Sequence, residues 1–209
     1  VTPKGNAPSV DKGSIDPMYF AGDRAEMQRI QQVVAGLPGI DDSLSLQEVL
    51  ASDLSQYEGL LIPGGHAPLI DLANNPQVGT LLKHFNQAGK PTAAICHGPI
   101  ALLSAQADPQ GFEAVLARGE QPAAQDWTYQ GYRMTIFSAP EEAVFEASLK
   151  GDKIRYYPGQ AMSAAGGQLQ YADAWQPKVV VDRELITGQN PFSDHLLAKT
   201  LVEALNAQQ

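Results

Sequence analysis

Apolar residues in this chain follow two kinds of spacing, which alternate along the sequence. Short apolar runs between turn residues predict strands at residues 59–62 and Thr92–Ile95, and partial alternation of apolar and polar residues indicates a further strand at 131–137. Residues 178–182 and 185–187 are separated by Arg183-Glu184 and predict a hairpin. Apolar residues three or four apart predict helices over 21–34, Leu46–Ala51, Pro76–Ala88, 112–117 and 193–207, and a further helix beginning after Ser138.

The order strand, glycine loop, helix, strand, elbow, helix is a run of βα units. Such a run predicts an α/β fold with a mainly parallel sheet and helices on both faces. The 209 residues suffice for one sizeable domain, so a single domain over 1–209 is expected. Sites in sheets of this kind lie at the carboxyl ends of strands. Gly64-Gly65 and Cys96-His97 follow two such strands, so we expect them to converge.

Composition narrows the classes of function. The hydrophobic content of 44% and charged content of 18% are those of a globular protein. A net charge of -9 argues against nucleic acid and anionic membranes as partners. A single cysteine excludes an intrachain disulfide framework, and no apolar window approaches the ~18–20 residues of a membrane span. A cytoplasmic protein is therefore expected.

That single cysteine, Cys96, lies between a predicted strand and a predicted helix. Thr92–Ile95 precedes it, and residues 100–103 have the character of first helical turns, with Pro99 suited to the helix start. A helix dipole and an adjacent imidazolium would lower the pKa of a thiol placed there. The alternative is a buried apolar cysteine without chemistry. The strand–Cys–helix context favours a nucleophile elbow.

A cysteine nucleophile needs a base, an orienting group and donors for a developing oxyanion. His97 is adjacent to the thiol, and the backbone N–H groups of Gly65 and His97 are candidate donors. Glu141 or Glu142 could orient the imidazole, although either could equally stabilise a helix N-terminus. Gly64-Gly65 also fits an ordinary βα loop.

The remaining histidines have different expected roles. His66 lies in the glycine loop and is a candidate to line the pocket. His84 is expected on a solvated helix face, and His195 in a capping or packing role. Since the histidines show no ligand spacing along the chain, the sequence predicts no metal site and no cofactor.

Five motifs together resemble the ThiJ/PfpI superfamily, and they occur in order along essentially the whole chain. They are Ile62-Pro-Gly-Gly-His-Ala-Pro68, Asp71-Leu72 with Asn75-Pro76, Gly89-Lys-Pro91, Ala94-Ile-Cys-His-Gly-Pro99 and Leu185-Ile-Thr-Gly-Gln-Asn-Pro191. The Cys-His-Gly-Pro elbow is similar to that of the branch holding glutathione-independent glyoxalases (glyoxalase III) and heat-inducible holding chaperones.

The resemblance implies a flavodoxin-like three-layer α/β sandwich, usually a homodimer, without a cofactor. It implies a triad of Cys96, His97 and Glu142, choosing Glu142 over Glu141. It also implies an oxyanion and substrate-binding region made by Gly64, Gly65, His66 and Gly98. The expected activity is conversion of methylglyoxal-like α-oxoaldehydes to 2-hydroxy acids, with deglycation as related chemistry.

The sequence departs from the superfamily pattern near its N-terminus. The superfamily has a first βα unit whose loop carries an acid/base glutamate beside the nucleophile, and no stretch here matches it. We expect that unit to have been removed, to lie in a separate chain or to lie outside the sequence given; without its glutamate the site would be incomplete. The alternative functions are a holding chaperone, a peptidase- or amidase-like hydrolase, and a redox sensor in which Cys96 is oxidised.

Overall fold

The computed structural model describes residues 1–148 and 153–208. The α-helices are α1 (Arg24–Ala35), α2 (Leu46–Ala51), α3 (Pro68–Asp71), α4 (Pro76–Ala88), α5 (Pro109–Ala117), α6 (Ala139–Ser148), α7 (Pro158–Ala164) and α8 (Asp194–Asn206). The strands are β1 (Leu60–Ile62), β2 (Thr92–Ile95), β3 (Arg133–Met134), β4 (Gln168–Leu169), β5 (Val179–Asp182) and β6 (Leu185–Gly188). Short 3₁₀ segments occur at Lys12–Ser14, Pro17–Phe20, Leu54–Gln56, Gly98–Ala105 and Pro191–Ser193.

Four strands form a mainly parallel sheet in the order β1-β2-β6-β5. β1 pairs with β2, and β2 with β6, in parallel. β5 pairs antiparallel with β6 through the predicted hairpin, whose turn residue Arg183 has a φ of 57°. β3 and β4 form a separate parallel pair. The predicted α/β fold with a mainly parallel central sheet is confirmed.

Helices pack on the sheet through side chains that alternate along its strands. Ala93 and Ile186 are buried against Leu197 of α8. Thr92 and Ala94 point to the other face because successive strand residues alternate. The 3₁₀ helix Gly98–Ala105 contacts β1 and β2 and packs against α4, which also contacts β2. Every residue of that 3₁₀ helix is buried, as expected for a helix that has almost no polar side chains.

The chain divides into two compact units, Val1–Leu54 and Ser55–Gln209. The first holds α1 and α2, and a bridge joins Thr2 to Ser45. Ser45 and Glu48 form a capping box at the start of α2, which begins at the predicted residue. The prediction of one domain over 1–209 stays a prediction. No described helix combines the length and apolar character needed to cross a membrane.

Several sequence-based boundaries were wrong for local reasons. α5 begins at Pro109, before the predicted start at residue 112, since the carboxylate of Asp108 accepts the N–H of Gly111 and caps the first turn. Only Arg133–Met134 of the predicted strand 131–137 joins a ladder. No helix was predicted at α7, because its side chains are mostly small and show no clear apolar spacing.

Candidate active site

Cys96 occupies a tight turn between β2 and the 3₁₀ helix Gly98–Ala105. Its φ of 61° lies in the left-handed region, which L-residues other than glycine rarely adopt. Two backbone hydrogen bonds hold the turn: the N–H of Cys96 donates to the carbonyl of Gly188 at 2.8 Å, and its carbonyl accepts the N–H of Phe137 at 3.0 Å. Such a conformation costs on the order of 1–3 kcal/mol and is typical of functional sites. The predicted elbow is present.

The glycines around the elbow allow two backbone segments to approach each other. A Cβ at Gly64 would lie 2.6 Å from the Cβ of Cys96, and one at Gly98 would lie 2.7 Å from the carbonyl oxygen of Ile62. Gly65 has a φ of +83°. The close contacts therefore explain why glycine occupies positions 64 and 98. A role for Gly64 and Gly98 in binding substrate stays a prediction.

The backbone N–H groups of Gly65 and His97 both form hydrogen bonds with the Cys96 thiol. These are the two donors named from the sequence as candidates for an oxyanion site. Their role as donors to an oxyanion stays a prediction.

The side chains of Cys96, His97 and Glu142 form a continuous chain of contacts. Sγ of Cys96 lies 3.3 Å from Nδ1 of His97. Nε2 of His97 lies 2.7 Å from Oε2 of Glu142, and Nε2 of His66 lies 3.1 Å from Oε1 of the same carboxylate. His66 and Glu142 are 76 positions apart, so their contact has no signature in the sequence.

Aromatic rings fix the two imidazoles. The His97 ring lies 4.5 Å from the Phe137 ring and 4.0 Å from the His66 ring, measured between centroids. His66 stacks on Phe145 at 3.8 Å. The side chains of His97 and Glu142 are each 1% exposed, whereas that of His66 is 32% exposed. His66 is therefore the solvent-facing member of this histidine–carboxylate group.

The protonation states follow from burial and hydrogen bonding. Burial opposes ionisation of Glu142, but the hydrogen bonds from His66 and His97 outweigh it and lower the pKa of Glu142 to about 2. Burial lowers the pKa of His97, and nearby His66 adds to that effect. At neutral pH an ionised carboxylate thus accepts Nε2–H from a neutral His97. The free lone pair of Nδ1 then faces the thiol.

The thiol itself is protonated at neutral pH. Burial raises the pKa of Cys96 to about 12, and the charges of Glu141 and Glu142 act in the same direction. The hydrogen bonds from Gly65 and His97 oppose this rise without cancelling it. The expectation of a lowered thiol pKa was therefore wrong: the site is buried, its histidine is neutral, and two carboxylates lie near the sulfur. The arrangement suits activation by a general base at the moment of attack.

Glu141 has a different role from its neighbour. Its buried carboxylate accepts hydrogen bonds from the N–H and hydroxyl of Ser138 at 2.9 and 2.6 Å and from the N–H of Trp175 at 2.7 Å. The side-chain amides of Gln189 and Asn190 also donate to it, the latter at 2.7 Å. Glu141 therefore anchors the start of α6 to the loop that follows β6, while Glu142 contacts the histidines.

A cavity of about 980 Å³ opens beside Glu142. Small apolar residues, three aromatic rings and several polar side chains form its wall, and Glu142 and Asp173 supply carboxylates. Its lining comprises Gln121, Phe137, Ser138, Ala139, Pro140, Glu142, Tyr157, Pro158, Gly159, Gln160, Ser163, Ala164, Leu169, Tyr171, Ala172, Asp173 and Ala174. Cys96 and His66 are not among these residues, so the cavity borders the carboxylate end of the contact chain.

The other two histidines lie apart from this group. His195 is 97% exposed on its side chain and contacts Asp194. His84 is half-buried against Phe85, and its Nε2 has no hydrogen-bond partner among the described residues, so the expected solvated position was wrong.

Comparison with known proteins gives relatives along most of the chain. The sequence profile of the DJ-1/PfpI family matches residues 25–110. The protein/nucleic acid deglycase HchA of Staphylococcus aureus is 28% identical over 170 residues, covering 78% of this chain and 53% of that protein. Protein DJ-1 homolog D of Arabidopsis thaliana is 53% identical over 53 residues, covering 25% of this chain and 13% of that protein. The chain thus spans about half the length of the HchA relative and a smaller part of the plant one.

Solved structures share the fold. Glyoxalase III from Candida albicans superposes with a TM-score of 0.66 at 20% identity, covering 96% of this chain and 77% of that chain. The rapid encystment protein of 24 kDa from Francisella tularensis superposes with a TM-score of 0.65 at 23% identity, covering 96% of this chain and 78% of that chain. At these identities the likeness concerns the fold alone. The match of residues 25–110 to the DJ-1/PfpI family, together with the sequence relatives, confirms the resemblance predicted from the motifs.

Proposed function

We propose that the chain is a cysteine-dependent enzyme acting on small α-oxoaldehydes without glutathione, with deglycation as a related activity. The observation that carries the proposal is the contact chain from Sγ of Cys96 through His97 to Glu142. The substrate class is supported by the deglycase relative and by a glyoxalase III of the same fold.

The first step is addition of sulfur to the aldehyde carbon. Nδ1 of His97 takes the thiol proton as the S–C bond forms, and the carbonyl π electrons move to oxygen, giving a hemithioacetal alkoxide. The N–H groups of Gly65 and His97 stabilise that oxygen. Glu142 stays ionised and stabilises the imidazolium, the same division of labour as in serine triads, although here Nδ1 faces the nucleophile.

The second step moves hydrogen from the carbon bonded to sulfur to the adjacent ketone carbon. The aldehyde carbon is oxidised and the ketone carbon reduced by the same two electrons, so no external oxidant is needed. The product is a thioester of a 2-hydroxy acid. Water then cleaves the S–C bond, the thiol regains its proton, and methylglyoxal leaves as lactate. The resemblance assigns the proton transfer between the carbons to a glutamate for which this sequence has no matching motif.

The cavity of about 980 Å³ borders Glu142 and is not lined by Cys96, so its volume does not identify the substrate. Deglycation as a related activity is supported by the deglycase relative.

The test is loss of methylglyoxal and formation of lactate, without glutathione, by the unmodified chain and by Cys96→Ala. We expect the variant to lose turnover. His195→Ala serves as a control because that side chain is exposed and lies apart from the histidine–carboxylate group. Unchanged turnover in Cys96→Ala would refute the proposal, provided that circular dichroism shows both variants to be folded.

A further inference from the structure

His66, His97 and Glu142 come from three separate elements and meet at one point. Their ligand atoms, two imidazole nitrogens and a carboxylate oxygen, all lie within 4.8 Å of one another. The two N···O distances are 3.1 and 2.7 Å. In a tetrahedral zinc site with bonds of about 2.0–2.1 Å, adjacent ligand atoms lie about 3.4 Å apart. Small side-chain movements would therefore give this group the dimensions of a metal site.

The surroundings favour a metal further. Phe137 and Phe145 hold the two imidazole rings, which reduces the freedom lost when both bind one ion. His66 is partly exposed and provides an entry path to a carboxylate that is otherwise buried. Two histidines and one glutamate are a zinc-binding set that leaves a fourth position for water or a ligand.

We propose that His66, His97 and Glu142 form a site for a divalent transition metal, with Zn²⁺ the best match, and that the metal inhibits the thiol chemistry. Cys96 is not a ligand in this site, because its sulfur faces Nδ1 of His97 and the carboxylate faces Nε2. The sequence analysis predicted no metal site because these three ligands are distant from one another along the chain.

Inhibition follows from the tautomer of His97, and this part rests on the proposed function. In the metal-free site Nε2 carries the hydrogen and Nδ1 is free to accept the thiol proton. A metal on Nε2 requires neutral His97 to carry its hydrogen on Nδ1, where it donates toward the sulfur. His97 can then no longer act as the base, and Glu142 no longer supports it.

Metal binding is tested on the purified chain by calorimetric titration with Zn²⁺, using Cys96→Ala, His66→Ala, Glu142→Gln and the control His195→Ala. We expect one zinc per chain for the unmodified chain, retained by Cys96→Ala and His195→Ala. His66→Ala and Glu142→Gln should each weaken binding at least tenfold, since even changes beyond the ligand shell commonly do so. Co²⁺ bound in place of zinc should show ligand-field bands without a thiolate charge-transfer band.

Zinc binding that disappears in Cys96→Ala would overturn the proposal, because the thiol would then be a ligand. So would unchanged binding in His66→Ala, or binding lost only in His195→Ala. His66 is partly exposed, so its variant tests the site even if Glu142→Gln does not fold. In turnover assays zinc should inhibit and a chelator should restore activity. If the unmodified chain has no turnover, the proposed function fails while the titration still decides the metal site.

Discussion

Replacing Glu142 by glutamine should disable the site while keeping its shape. The Glu142 carboxylate accepts hydrogen bonds from both His66 and His97, and its pKa falls from 4.5 to about 2. At about 1.4 kcal/mol per unit, this shift corresponds to about 3 kcal/mol favouring the ionised form in the folded chain. Glutamine removes that charge and can donate to Nε2 of His97, which places the imidazole hydrogen on Nδ1, facing the sulfur.

The expected result is a fall in kcat on the order of 10³- to 10⁴-fold, by analogy with the same change in a serine triad. The assay is glutathione-free turnover of methylglyoxal at pH 7. Glu146→Gln is the matched control: Glu146 lies one turn further along α6, where it accepts the hydroxyl of Tyr157 at 2.7 Å. Turnover of folded Glu142→Gln within about threefold of the unmodified chain would refute the proposed role of the carboxylate, since that role requires the charge.

Other perturbations follow from the same geometry. Gly64→Ala should lower the free energy of unfolding, measured with urea, by about 1–3 kcal/mol, because its Cβ would overlap that of Cys96. Turnover should fall as well. An unchanged free energy of unfolding would contradict the close packing at the elbow. Glu141→Gln should lower Tm, because its NH₂ group replaces one acceptor oxygen and then faces the donors either of Ser138 or of Trp175 and Asn190. It should also lower kcat through displacement of α6; an unchanged Tm would contradict this. The free energy of unfolding should fall as pH drops below about 6.5, because His97 has a lowered pKa and the unfolded chain binds the proton first. It should fall again between pH 4.5 and 2 through Glu142, and urea titrations that show no such loss would contradict both assignments.

Much of the fold could be predicted because its signals are local. The capping box of Ser45 and Glu48 and the hairpin at Arg183-Glu184 depend on residues a few positions apart. The segment after the elbow was harder: its residues are all buried and, apart from Ser104, not polar, so no periodicity distinguishes the 3₁₀ helix found from an α-helix.

The site was predictable where adjacent residues carry it and not where distant residues meet. Cys96-His97 at a strand end indicated the elbow directly. The choice between Glu141 and Glu142 stayed open from residue types alone, because it depends on which carboxylate faces the imidazole and which faces Asn190. The contact of His66 with Glu142 and the high pKa of the thiol arise from burial and long-range packing, which one sequence does not encode in any local pattern.

The rate of Cys96 alkylation by iodoacetamide as a function of pH tests most directly the claim that a protonated thiol faces a neutral imidazole. A thiol with a pKa of about 12 instead of its ordinary 9.0 has about 10³-fold less thiolate at pH 8. Alkylation of the folded chain at pH 8 should therefore be about 10³-fold slower than that of the same chain in denaturant. The rate should also rise about tenfold per pH unit up to the alkaline limit of the fold. A rate that is fast and level above pH 7 would show a preformed thiolate and contradict the account.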